Sequence, residues 1–326
     1  MQIIAANHSS YPKVGDRPEQ QAHRQAYGQL ERKEITKEDF ERVQEKVVKE
    51  AIDEQVKAGL GLVTDGLIRW YDPISHFARG LGCEVNGLLR FFDTNFYFRQ
   101  PVVNAKVSWK GPTVVHELVF AKKSSPKPVK AVVTGPYTLA KLSINRSNAD
   151  FKSLVAEFAE CMAQEVRELS KSGAELIQVE EPSILKNPDD FDLFKTAVET
   201  VTSEKGKAKV ALYTYFGDAA PLYPKLMRLP VDGLGLDFTY SQRLQDVVAR
   251  LGCSKDLGLG LIDGRNTKME SEAEVLKVLK KILPTVGSER VYLSTSCGVG
   301  DYLPREVAFK KLKMVSAIAK KAEEIV

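Results

Sequence analysis

Two short apolar runs in the last third of the chain each stop in a cluster of side chains capable of chemistry. Residues 257–262 give way to Asp263, Gly264, Arg265 and Asn266, and residues 291–293 to Ser294, Thr295, Ser296 and Cys297. An acid, a guanidinium, an amide, hydroxyls and a thiol can together grip a polar small molecule. The thiol could act as nucleophile or metal ligand, provided a neighbour drew its proton away. The same pattern recurs upstream. Gln178 and Glu180 share one face of a strand, so that carboxylate suits a substrate ammonium or guanidine-like ring nitrogens. Glu181 faces the other way, which speaks against a facing acid–base pair of the glycosidase kind. Asp65, Tyr215 and Asp237 also follow apolar runs, as do His8, Ser9 and Ser10 after the first of them.

The elements that must position these residues can be read from periodicity. Between the two clusters, Val275, Leu276, Leu279, Ile282 and Leu283 recur at helical spacing, so the segment reads strand, helix, strand. Such a unit has parallel strands and a right-handed crossover, and its ligands bind beyond the strands' carboxyl ends. The remaining strands are expected at 2–6, 60–64, 129–134, 176–179, 210–213 and 233–236. Helices are expected from Thr36 as N-cap to Gly59 as terminator, then over 151–169, 191–201, 221–229, 244–251, 272–283 and 305–326. The stretch 88–122 is rich in aromatic and β-branched residues without a helical period and reads as a hairpin. Eight strands alternating with helices predict an α/β fold, a (β/α)8 TIM barrel with a β-hairpin insertion after the second strand. One domain over residues 1–326 is expected.

Composition narrows the function. The 47 Lys and Arg against 43 Asp and Glu are spread along the chain, so nucleic acid is not an expected partner. No apolar run reaches the roughly 18 residues of a membrane span, and the first residues read as a buried strand, so a cytoplasmic location with no membrane partner is expected. Cys83, Cys161, Cys253 and Cys297 show no CxxC pairing and read as free thiols. The four histidines form no HxH, HxxH or HxxxH pair.

A series of segments then carries a resemblance: YPKVG at 11–15, FFDTNFYFRQP at 91–101, VTGPYTL at 133–139, IQVEEPSI at 177–184, TYFGD at 214–218, LPVDGLGLDF at 229–238, LIDGRN at 261–266 and STSC at 294–297. In this order the chain resembles the cobalamin-independent methionine synthases, whose long chain holds two related (β/α)8 barrels. TYFGD, IDGRN and STSC are similar to the amino-terminal barrel of that family rather than to its zinc-bearing catalytic barrel.

The resemblance implies a zinc site whose ligands, in the catalytic barrel, fall at positions held here by Tyr215, Gly217, Asp237 and Cys297. Only Cys297 keeps its identity and Asp237 is a shorter carboxylate, whereas a catalytic zinc takes about three protein ligands. The resemblance also implies that Glu180 matches a carboxylate for the amino-acid substrate, and that Lys13 and Arg17 match basic residues facing a folate's polyglutamate tail. The catalytic candidates are therefore Cys297, Asp237 and Glu180. The binding candidates are Ser10, Lys13, Arg17, Asp65, Gln178, Tyr215, Arg265, Asn266 and Ser296, and the only metal candidates are Cys297 and Asp237. The implied activity is methyl transfer from a 5-methyltetrahydrofolate-like donor to homocysteine, with reduced folate as donor or ligand and zinc not expected on this chain alone. The expected partners are a small-molecule substrate and a separate zinc-bearing catalytic barrel chain. The alternatives are a stand-alone methyltransferase using a methylcorrinoid or another thiol, and a non-catalytic protein binding folate or amino acids.

Overall fold

The structure is a computed structural model that describes residues 1–324. Seven parallel strands form one sheet: β1 (Gln2–Ala5), β4 (Ala131–Thr134), β6 (Leu176–Glu180), β7 (Lys209–Thr214), β8 (Gly233–Asp237), β9 (Asp256–Ile262) and β10 (Arg290–Thr295). Their order is β1-β10-β9-β8-β7-β6-β4. The ring closes through single parallel bridges, Ala6 to Leu62 and Val63 to Val129, so the expected strand at 60–64 is reduced to a bridge segment. Gly61 stands there with little room, a Cβ meeting Ile4 Cγ2 at 3.2 Å. The chain is thus a (β/α)8 barrel whose second strand is its thinnest.

The glycine alternation in β8 and β9 has a packing cause. Tyr213 of β7 points into the barrel, where a Cβ on Gly235 would run into its ring and a Cβ on Gly258 would stand 2.7 Å from its hydroxyl. Tyr213 packs inside with Ala6, Leu62, Leu176, Ala211 and Tyr292. A large ring on one strand thus requires bare backbone on the next two, as close-packed interiors demand.

Helices cover the outside: α1 (Ala22–Glu31), α2 (Lys37–Lys57), α3 (Ser75–Gly80), α4 (Val115–Ser124), α5 (Pro136–Lys141), α6 (Phe151–Lys171), α7 (Phe191–Ser203), α8 (Tyr223–Leu226), α9 (Arg243–Leu251), α10 (Glu272–Ile282) and α11 (Arg305–Glu323). The α2 cap is the one its sequence predicts: Asp39 N–H donates to Thr36 Oγ1 (3.1 Å), and Gly59 ends the segment at φ +90°. The expected end of the last helix at Val326 lies outside the described residues. The helix expected at 221–229 shrinks to Tyr223–Leu226, because its flanks close as turns.

The chain leaves the barrel between the bridge segment and β4 as an antiparallel pair, β2 (Glu84–Arg90) and β3 (Tyr97–Val103), with β5 (Ile144–Asn145) added parallel to β3. The stretch 88–122 is not hairpin throughout. Residues from Val115 form α4, whose start is fixed by a distant carboxylate: Glu165 of α6 accepts from the N–H groups of Thr113 and Val114 at 2.9 and 2.8 Å. Such a nonlocal cap leaves no local signature. No helix among the described residues is long and apolar enough to cross a membrane.

Candidate functional site

Glu180, the last residue of β6, is the hub of the rim. It is buried, and both of its oxygens are held: Oε1 accepts from Gln178 Nε2 (2.8 Å) and Oε2 from Tyr215 OH (2.6 Å). Gln178 in turn accepts from Lys130 Nζ at 2.6 Å, so a lysine, an amide, a carboxylate and a phenol form one chain across β4, β6 and the end of β7. His8 Nδ1 lies 3.6 Å from Glu180 Oε1 and 3.1 Å from Ser9 Oγ. Its ring stands edge-on to Tyr213 and Tyr215 at 5.2 and 5.4 Å. Burial, seconded by Lys130, holds His8 well below the usual imidazole range, so it is neutral. Burial likewise lowers Lys130 to about 7 against the pull of Glu180. Burial raises Glu180, opposed by the bonds from Tyr215 and Gln178. With two oxygens each carrying two lone pairs, Glu180 keeps acceptor capacity for one more donor on its open side.

That open side is a small cavity lined by Ser9, Ser10, Lys13, Trp70, Phe91, Glu180, Tyr215, Phe216, Cys297 and Tyr302 among others. Its free volume is about 30 Å³, enough for one or two water molecules. The hairpin packs against the rim beside it. Asp93 between β2 and β3 accepts from Tyr240 OH (3.2 Å) and Arg265 Nη1 (3.5 Å). Phe91 and Phe92 pack on Phe216 at 6.0 and 5.9 Å between centroids, and Arg265 lies over Phe216 and Tyr240 at 5.2 and 5.5 Å.

The residues singled out in the sequence divide into three groups. Ser10, Lys13, Glu180, Tyr215 and Cys297 line the cavity. Gln178, Asp237, Arg265 and Ser296 support it: Asp237 accepts from Phe216 N–H (3.3 Å) and Thr239 Oγ1 (2.7 Å), and Ser296 Oγ accepts from Gly264 N–H (3.2 Å). Lys311 of α11 donates to Asp263 O (2.8 Å) and Glu270 (2.9 Å), pinning the loop that carries Arg265. Arg17, Asp65 and Asn266 lie elsewhere. Arg17 lines an outer cavity with Lys57 and Arg305, Asp65 faces Glu117 under α4, and Asn266 is exposed and caps its own turn by accepting from Lys268 N–H. Lys13 and Arg17 therefore point to different cavities.

The donor set does not fit zinc. Tyr215 OH is committed to Glu180, Gly217 has no side chain, and Asp237 already accepts three bonds from its own loops. Burial pushes the Cys297 thiol well above its ordinary range, and Asp237 pushes it further, so it holds its proton at neutral pH. Among the described residues no group of three or more His, Cys, Asp or Glu could hold a metal ion.

Lys130, Trp70 and Tyr302 escaped the sequence reading. Lys130 carried a signal: it stands in an apolar run at the inward parity of Val132 and Thr134. Trp70 and Tyr302 carried none, since each reaches the cavity from a loop. Glu181 is absent from the cavity because it accepts from Tyr137 and Thr138 N–H (2.9 and 2.8 Å), capping α5.

A closed barrel with a carboxylate-centred cavity at the carboxyl ends of its strands defines a (β/α)8 protein of the enzyme type. Residues 75–287 match the family profile described as cobalamin-independent synthase, N-terminal domain. The chain is 31% identical to a methionine synthase of Pyrococcus horikoshii over 288 residues, 87% of this chain and 84% of that protein. It is 29% identical to a methionine synthase of Saccharolobus solfataricus over 281 residues, 85% and 84% of the two chains. A solved B12-independent methionine synthase from Shewanella sp. W3-18-1, in complex with selenomethionine, has the same fold, with a TM-score of 0.81 at 20% identity over 99% of this chain and 98% of that one. The chain belongs to the cobalamin-independent synthase family, whose relatives here are named methionine synthases, that is, methyltransferases.

Proposed function

We propose that this chain acts in methyl transfer to the thiol of homocysteine, with a 5-methyltetrahydrofolate-like donor, as a zinc-poor half that works with a separate zinc-bearing catalytic barrel. On this reading residues 1–326 make one barrel domain. Glu180, oriented by Tyr215 and Gln178, holds the ammonium of an amino-acid ligand, while Ser10, Lys13 and Cys297 line the same cavity. The observation that carries the reading is the pairing of a family match to an N-terminal domain with Tyr215 and Gly217 at two of the positions where zinc ligands would stand. Without a metal, a thiol with an ordinary pKa of about 8.5 is only a few per cent ionised at neutral pH, so a partner must supply the activation.

The test is a mixing assay with a zinc-bearing catalytic barrel of the family. Faster methionine formation in the mixture, lost with Glu180→Gln, is expected; no binding and no change in rate would overturn the reading. A second reading has its own support, since the methionine synthases of P. horikoshii and S. solfataricus are matched over 84% of their own length and are thus close to this chain in size. It makes this chain a stand-alone methyltransferase, with a methylcorrinoid as donor or another thiol as acceptor, and turnover by the isolated chain would favour it.

A further inference from the structure

Lys130 stands at the far end of the hydrogen-bond chain that leads to Glu180, and it is a cation without a carboxylate of its own. It directly precedes β4 and is buried inside the barrel, 2% exposed. Among the described residues its Nζ makes no ion pair within 4 Å and has one hydrogen-bond acceptor, Gln178 Oε1 at 2.6 Å. The ring of Tyr213 lies beside it, with 5.0 Å from Nζ to the centroid. Gln178 Nε2 donates in turn to Glu180 Oε1 at 2.8 Å, so a single amide separates a buried ammonium from a buried carboxylate. The other ionisable groups facing Lys130 are His8 from the loop after β1, which is neutral, and Asp65 and Glu117, which line one small pocket with it.

One buried cation and one buried anion held this close offset each other, whereas two cations and one anion leave a charge uncompensated. An amino-acid ammonium on the open side of Glu180, as the proposed function requires, would be that second cation. Lys130 can give way without disturbing the geometry, because a neutral amine keeps two N–H groups and still donates to Gln178 Oε1. Burial has already brought it close to the neutral form, at about 7. We propose that Lys130 is the counter-charge of Glu180 before a ligand binds, and that an amino-acid ammonium arriving at Glu180 displaces one proton from Lys130 Nζ to solvent. The buried charge is then the same before and after binding, and Lys130 is a positioning residue that acts through Gln178. Resting on the amino-acid role of Glu180, this coupling adds the regulation of the same site: the ligand binds more tightly as pH rises through about 7.

Asp65 titrates in the same range, at about 7, so the readout has to see the lysine itself. Carbon NMR of the full chain, with its lysines labelled at Cε and titrated with and without saturating L-methionine, does so. The Lys130 signal is assigned by its absence from Lys130→Met. Methionine is expected to lower the midpoint of that signal by about one pH unit or more. Because the coupling is reciprocal, calorimetry should find methionine bound about tenfold more tightly at pH 8 than at pH 6. Lys130→Arg, whose charge is permanent, should bind methionine about tenfold more weakly than the unaltered chain at pH 8, whereas a purely structural lysine would tolerate another cation at similar affinity. Should Lys130→Arg fail to fold, the titration of the unaltered chain decides alone. A Lys130 midpoint that bound methionine leaves in place overturns the coupling while the amino-acid role of Glu180 stands. No methionine binding at millimolar concentration overturns that role, and the coupling with it.

Discussion

Phe92 in the hairpin and Phe216 after β7 both hold left-handed backbone, at φ +53° and +62°, and their rings meet at 5.9 Å between centroids. Two residues without glycine's freedom occupy strained conformations, and their side chains pack against each other, with Phe91 and Tyr302 also packing on Phe216. The contact packs the hairpin over the rim of the cavity, whose free volume is about 30 Å³. If the hairpin over this rim limits access, ligand association should speed up when its contacts are loosened.

Cutting the latch tests this. Asp93→Ala removes the acceptor for Tyr240 and Arg265, and because Asp93 is half exposed the loss of stability should stay under about 1 kcal/mol. Stopped-flow binding, followed by the fluorescence of Trp70 at the cavity wall, should show faster association in the variant. An unchanged association rate would mean the hairpin is not the gate.

Tyr215→Phe deletes the donor that orients Glu180. The carboxyl, already raised by burial, should titrate higher still, because one of the bonds that favour its charged form is gone. Carbon NMR of labelled glutamate reads the change, and denaturant unfolding at pH 7 should show a loss of about 1–3 kcal/mol.

Lys130 gives a pH dependence with a definite sign. Its folded pKa of about 7 lies below the ordinary lysine value, so between these two values the unfolded chain binds the extra proton. Stability from this group therefore rises as pH climbs from about 7 to about 10.4, by about 1.4 kcal/mol per pH step of one. In Lys130→Met that rise should be missing when unfolding is followed at pH 7, 8 and 9. Asp65, pushed up to about 7 by burial and then by Glu117, acts oppositely at lower pH. Its contribution falls as pH rises from about 3.9 to 7, and Asp65→Asn should flatten that range.

The zinc donor set can be rebuilt. Tyr215→His with Gly217→Cys supplies two ligands beside Cys297 and Asp237. A Cβ at 217 would stand 2.6 Å from Leu185 Cβ, so Leu185→Ala must accompany them. Metal analysis of the triple variant should find about one zinc per chain, and clearly less when Leu185 is kept. No gain of zinc in the triple variant would show that position, not residue type, excludes the metal.

The barrel was legible because its strands are buried on both faces and therefore written as unbroken apolar runs, each stopping where polar residues begin. The run at 60–64 misled slightly: with Gly61 in its middle and Ile4 against it, the pairing thins to single bridges. The α4 helix was not legible, since Glu165, 51 residues from Val114 in sequence, caps it. At the site, parity alone put Gln178 and Glu180 on one face, and their bond follows from it.

What the residues alone determined is the ring of strands, the rim where polar side chains collect, and the family whose motifs they carry, because period and strand-end chemistry are local properties. What only the tertiary structure decided is which rim residues converge. Lys13 turned inward and Arg17 outward from one loop, Asp65 was buried beside Glu117 under α4, and a hairpin whose Asp93 lies 172 residues before Arg265 in the chain packs over the rim. Those choices belong to packing between distant segments, which adds up over the whole molecule and leaves no mark at any single position.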